Sequence, residues 1–112
     1  MFASQHNLDN LHLIVDDNSI SMLGYTNDIV SHGDLAARLS SFGWDCIEVQ
    51  GHDVYAVQAT LQQQKIKMEG KPKAIIAKTL KGRGVPGLEN AQLSHIINPK
   101  PELIDSLLEK MQ

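Results

Sequence analysis

The chain has 112 residues, 42% of them hydrophobic and 21% charged, which is the composition of one small globular domain and not of a disordered chain or a membrane protein. Ten Lys and Arg against thirteen Asp and Glu give a net charge of −3 without any basic cluster, so nucleic acid is excluded as an expected partner. Apolar runs such as Leu13-Ile14-Val15 are too short to span a bilayer, no basic and apolar leader opens the chain, and Cys46 is the single cysteine; no membrane partner and a reducing, cytoplasmic location are expected.

Leu11 to Asp16 is an apolar run that ends abruptly in Asp16-Asp17-Asn18, the pattern of a buried strand with polar groups at its C-terminal end. Ser19 to Gly33 mixes Ser, Gly, Asn and Asp with scattered apolar residues and no period, which predicts a long loop of the kind that carries function. Asp34 is placed to cap a short helix whose Leu35, Leu39 and Phe42 share a face, with Gly43 at its end. Cys46 to Val49 reads as a second strand. Gly51-His52-Asp53 then turns into a second helix, with Val54, Val57, Leu61 and Met68 on its buried face and Gly70 and Pro72 past its end.

Ala74 to Ala77 is a third strand, running into a polar stretch, Lys78 to Gly87, in which Gly82, Gly84 and Gly87 permit tight turns. Pro101 starts a last helix with an apolar stripe of Leu103, Ile104, Leu107, Leu108 and Met111. Strand and helix alternate, so the expected architecture is α/β, three-layered around a mainly parallel sheet. Ligands of such sheets bind beyond the C-terminal ends of the strands, where both polar loops fall.

Asp16, Asp17 and Asn18 bring three oxygen-bearing side chains to a strand end, a donor set for a hard cation such as Mg²⁺ or Ca²⁺. The same residue types favour such turns by bonding to the backbone, and both readings stand at this point. His6, His12, His32 and His52 show no metal-ligand spacing.

The run Leu13-Ile14-Val15-Asp16-Asp17-Asn18 resembles the first strand of response-regulator receiver domains, whose length also fits. A receiver needs a helix directly after that strand and a phospho-accepting aspartate at the end of the third, whereas this chain has a loop and then Ala77-Lys78-Thr79. A second resemblance covers almost the whole chain. Leu8-Asp9-Asn10-Leu11 with Leu13 to Asn18, Phe42-Gly43-Trp44, Glu48 to Asp53, and Ala74 to Gly84 are similar, in order and spacing, to segments of the diphosphate-binding N-terminal domain of transketolases or of the N-terminal subunit of split transketolases.

The resemblance implies a Rossmann-like thiamine diphosphate-binding fold and transfer of a two-carbon ketol unit between sugar phosphates. It implies thiamine diphosphate held through Mg²⁺ or Ca²⁺, with Asn18 and the backbone carbonyl of Ile20 as metal ligands. Met22 corresponds to an apolar residue beside the pyrimidine, its other reading being a core methionine. Lys81 corresponds to a lysine approaching the diphosphate, its other reading being a solvated surface lysine. His95 corresponds to a histidine near diphosphate and substrate, with a catalytic role in proton transfer, although Ser94-His95-Ile96 lacks the glycine that follows it in the family.

The family's Gly-Asp-Gly motif lies further upstream than the 17 residues that precede Asn18, so residues 1–112 are expected to be the C-terminal portion of a larger domain, without the aspartate ligand. The chain alone is then expected to be inactive and to need a complementary domain or subunit. The alternative is a free-standing, non-catalytic fragment or interaction module of the same fold. For a free-standing fragment, apolar sheet faces left uncovered favour self-association, and a homo-oligomer is expected.

Overall fold

In chain order the elements are α1 (Phe2–Gln5), β1 (His12–Asp17), β2 (Ile20–Ser21), β3 (Gly24–Tyr25), α2 (Thr26–Ile29), α3 (Leu35–Ser41), β4 (Asp45–Gln50), α4 (Val54–Ile66), β5 (Lys73–Lys78) and α5 (Pro101–Lys110). They come from a computed structural model that describes residues 1–92, 98 and 100–110. The chain divides into two compact units, Met1–Asp17 with His32–Thr79, and Asn18–Ser31 with Leu80–Gln112.

The first unit holds a three-stranded parallel sheet in the order β1-β5-β4. From β1 the chain passes through α3 to β4, leaving one position empty, and returns through α4 to fill it with β5. Right-handed crossovers running in opposite directions place α3 and α4 on opposite faces, giving the three layers that the alternating pattern predicts. Register fixes which side chains share a face: His12, Ile14 and Asp16 align with Lys73, Ile75 and Ala77 on one neighbour and with Asp45, Ile47 and Val49 beyond it. That is the α4 face, since His12 lines a groove with Leu61, Lys65 and Met68.

Because β5 is central and covered on both faces, its apolar run Ala74-Ile75-Ile76 is almost wholly buried. Lys73 is buried as well, and its ammonium donates to the carbonyls of Asp9 and Lys71. The Asp9 carboxylate accepts from the Gly70 amide at 3.3 Å. The Leu8-Asp9-Asn10-Leu11 segment is thus tied to the turn before β5, which fixes where β1 begins.

Both aspartate caps form where the sequence places them. Asp34 Oδ1 accepts from the Ala37 amide at 2.8 Å and Asp53 Oδ1 from the Ala56 amide at 3.0 Å. Gly43 takes φ +86° after α3, in the left-handed region open to glycine. The buried face of α4 differs from expectation: Val54 and Met68 are exposed, and the covered stripe is Ala56, Val57, Thr60, Leu61 and Gln64. Helical periodicity carries 57, 60, 61 and 64 onto one side, while Val54 sits in the first turn and Met68 lies past the end at Ile66.

The second unit corrects the expected long loop from Ser19 to Gly33. β2 and β3 pair antiparallel, Ile20 opposite Tyr25 and Ser21 opposite Gly24, with Met22 and Leu23 at the tip and one helical turn, α2, after it. A hairpin this short has too few residues to show the period-two alternation by which strands are read. Residues 80–92 form a series of turns. In α5, Leu107 is half-buried, whereas Leu103, Ile104 and Leu108 remain exposed; Met111, the last member of the expected stripe, lies outside the described residues.

Candidate functional site

The hairpin organises Asn18, Ile20 and Met22. Asn18 Oδ1 accepts from the Ile20 amide at 3.0 Å, an Asx turn that holds Ser19 at φ +61°, a conformation a serine seldom adopts. The Ser19 carbonyl accepts from the Thr26 amide at 3.0 Å, so Ser19 faces Thr26 across the ladder, and Ser21 faces Gly24 two residues on. Ladder groups alternate in direction; the N–H and C=O of Ile20 therefore point out of the hairpin, on the side of the Asn18 amide oxygen. Two neutral oxygens, one from a side chain and one from the backbone, are brought to one edge, and oxygens of this kind are the donors that hard cations take. Ile20's own side chain is buried and anchors the turn, whereas Met22 is 65% exposed and is not a core methionine.

Lys81 stands in the loop that follows β5. Its ammonium donates to the Gln92 carbonyl at 3.0 Å, and its own carbonyl accepts from the Asn90 amide at 2.9 Å, so both ends of the residue are held by the far side of the loop. Further turns close through Arg83 to Leu80, Val85 to Gly82 and Leu88 to Val85, while the Gly84 amide donates to Glu89 Oε1 at 3.0 Å. At Gly82, φ is +75° and a β-carbon would collide with the Leu88 carbonyl, so only glycine lets the two strands of the loop approach. Lys81 is half-buried and anchored, unlike a lysine waving in solvent. His95 lies outside the described residues.

Within the first unit, the acidic pair at the end of β1 already has partners. Asp17 Oδ2 accepts from Lys78 Nζ at 2.7 Å, with Glu48 Oε1 3.5 Å from the same ammonium. Asp16 Oδ1 accepts from the Thr79 hydroxyl. The Asp17 hydrogen bond holds the Lys78 ammonium above the ordinary lysine range, against a smaller opposing effect of burial. Local sequence pattern gives Lys78 and Glu48 no link to Asp17. They become neighbours of Asp17 only because β5 lies between β1 and β4, and strand order is not written in local pattern. Among the described residues no group of three or more His, Cys, Asp or Glu side chains converges on one point. No described helix is long and apolar enough to cross a membrane.

Residues 1–111 match the family described as the transketolase, thiamine diphosphate binding domain. The chain belongs to that family. It is 36% identical over 110 residues to one subunit of the apulose-4-phosphate transketolase of Actinobacillus succinogenes, an alignment covering 98% of this chain and 39% of the relative. It is 39% identical over 114 residues to the human transketolase-like protein 2, covering 99% of this chain and 18% of that protein. Transketolase from Campylobacter jejuni superposes with a TM-score of 0.83 at 31% identity, over 98% of this chain and 17% of the crystallised one. This member of the transketolase family therefore spans about two fifths of the Actinobacillus relative and under a fifth of the longer proteins it matches. Its parallel sheet has the fold of their thiamine diphosphate-binding domain.

Proposed function

We propose that the chain forms part of a thiamine diphosphate-dependent transketolase that moves a two-carbon ketol unit between sugar phosphates, and that residues 1–112 are the C-terminal portion of its cofactor-binding domain. The observation that carries this reading is the hairpin edge shared by Asn18 Oδ1 and the outward-pointing Ile20 carbonyl. Those two oxygens would hold Mg²⁺ or Ca²⁺, and the cation would neutralise the diphosphate. Met22, exposed at the hairpin tip, would pack on the pyrimidine ring, and Lys81, on its anchored loop, would place a positive charge towards the diphosphate. His95 is assigned the neighbourhood of diphosphate and substrate on sequence likeness alone. When bound, thiamine diphosphate supplies the carbanion chemistry; the residues of this chain bind and orient it.

Half a site needs its complement. The Actinobacillus relative is named as one subunit of its enzyme, which supports a partner for this chain in the form of a complementary transketolase subunit or domain. A homo-oligomeric, cytoplasmic assembly is part of the same proposal. Alone, the chain is inactive and binds thiamine diphosphate weakly. Calorimetric titration with thiamine diphosphate and Mg²⁺ is the test, and micromolar affinity for the isolated chain refutes that statement. In the assembled enzyme, Asn18→Ala abolishes metal-dependent cofactor binding; unchanged binding removes Asn18 from the site.

A further inference from the structure

The two segments that would hold the cofactor leave neighbouring strands of the sheet, the Asn18 hairpin after Asp17 at the end of β1 and the Lys81 loop after Thr79, one residue past β5. Contacts at these two exits join them. The Thr79 amide donates to the Asp17 carbonyl at 3.3 Å, and the Thr79 hydroxyl donates to Asp16 Oδ1. Thr79 is held from β4 as well. The Gly51 amide donates to the Lys78 carbonyl at 2.8 Å, which continues the β4–β5 ladder by one residue and brings Gly51 beside Thr79. A β-carbon on Gly51 would collide with the Thr79 methyl and stand 3.1 Å from the Lys78 carbonyl, so glycine is the residue that lets the end of β4 close on this side chain. Thr79, branched at its β-carbon and stiff in χ1, is thereby wedged with its methyl towards β4 and its hydroxyl on β1.

We propose that Thr79 is a positioning residue for the cofactor site, its bond to Asp16 fixing the spacing at which the Asn18 hairpin and the Lys81 loop leave the sheet. The proposal rests on the reading of this chain as part of a thiamine diphosphate-dependent enzyme. Asp16 stands two residues before Asn18 and Thr79 two before Lys81, so little chain lies between this bond and the groups assigned to cation and diphosphate, and a shift at one passes to the other. A site of this kind needs its groups within about 0.5 Å of the productive geometry. The bond also gives Asp16, which the cation site does not use, a role beside Asn18. Lys78 and Asp17 make a second tie between the same strands, but Lys78 reaches its partner through a long, exposed side chain shared with Glu48 and sets position less sharply. The consequence falls on binding. Without the hydroxyl, the empty site spends only a fraction of its time in the competent arrangement, and the apparent affinity falls by that fraction; once cofactor is bound, the arrangement and the turnover are the same.

The test is calorimetric titration of the assembled enzyme with thiamine diphosphate at a fixed Mg²⁺ concentration. Thr79→Val keeps the branched shape and removes the hydroxyl; it is expected to raise the dissociation constant about five- to tenfold, the effect of one hydrogen bond, with kcat at saturating cofactor retained. Thr79→Ser restores most of the affinity. Asp16→Ala removes the same bond from the β1 side and raises the constant by a similar factor, and the double variant Asp16→Ala, Thr79→Val goes no further than either change alone. Ile75→Val separates positioning from general stability. It deletes one methyl from the buried centre of β5, lowers the denaturation midpoint and leaves the dissociation constant unchanged. Wild-type affinity in Thr79→Val overturns the proposal, as do independent, multiplying effects of the two single changes or an equal loss of affinity in Ile75→Val. A wild-type enzyme that binds no thiamine diphosphate overturns the cofactor reading itself, and this proposal falls with it.

Discussion

Lys78, at the end of the central strand, donates to the Asp17 carboxylate at the end of its neighbour at 2.7 Å, across 61 positions of sequence. The Lys78 side chain is 44% exposed, so solvent screens the pair, and Lys78→Met is expected to cost only about 0.5 kcal/mol at neutral pH by chemical denaturation. The sign of the pH dependence follows from the raised lysine. Its contribution is complete below the unfolded lysine pKa of about 10.4 and disappears as pH rises through the higher folded value. The wild type and Lys78→Met should therefore converge in stability above that range, and a difference that grows with alkalinity would contradict the pairing.

Gly82→Ala should be far more costly, about 2 kcal/mol or more, because it adds both a left-handed alanine and a collision with the Leu88 carbonyl. The damage is local. Hydrogen exchange at the amides of Val85, Leu88 and Asn90, which close the turns around Lys81, should accelerate while the amides of β5 keep their protection. Unchanged exchange in this loop would show that the backbone can move aside.

Gln64 is fully buried on α4, and neither its amide nitrogen nor its oxygen has a partner among the described residues. Water forms hydrogen bonds with this group in the unfolded chain that the folded chain does not replace. Gln64→Leu, close in volume and without polar atoms, is expected to stabilise the chain by about 1 kcal/mol, read as an upward shift of the denaturation midpoint. A loss of stability on this change would mean that the amide has a partner after all.

Asp53→Ala removes the acceptor for the Ala56 amide at the start of α4. The expected loss is about 1 kcal/mol, and Asp53→Ser, which restores an acceptor, should recover most of it. If alanine and serine behave alike, the cap contributes nothing to α4.

Several features were legible locally. The caps Asp34 and Asp53 lie next to the groups they satisfy, the β5 run Ala74-Ile75-Ile76 announces burial on both faces, and three parallel strands follow from their alternation with helices. Family likeness drew attention to Asn18, Ile20, Met22 and Lys81, but it could not say that Met22 is exposed at a hairpin tip or that Lys81 is pinned to the Gln92 carbonyl. Composition and pattern by themselves determined the α/β class, because hydrophobic period, capping and turn chemistry act over a few residues, while the family rested on the likeness of ordered motifs to known members. Only the tertiary structure decided that β5 separates β1 from β4 and that Asp17 and Glu48 therefore share Lys78. Those outcomes depend on strand order and on which faces the helices cover, and these are settled by burial summed over the whole sheet, where no local window can read them.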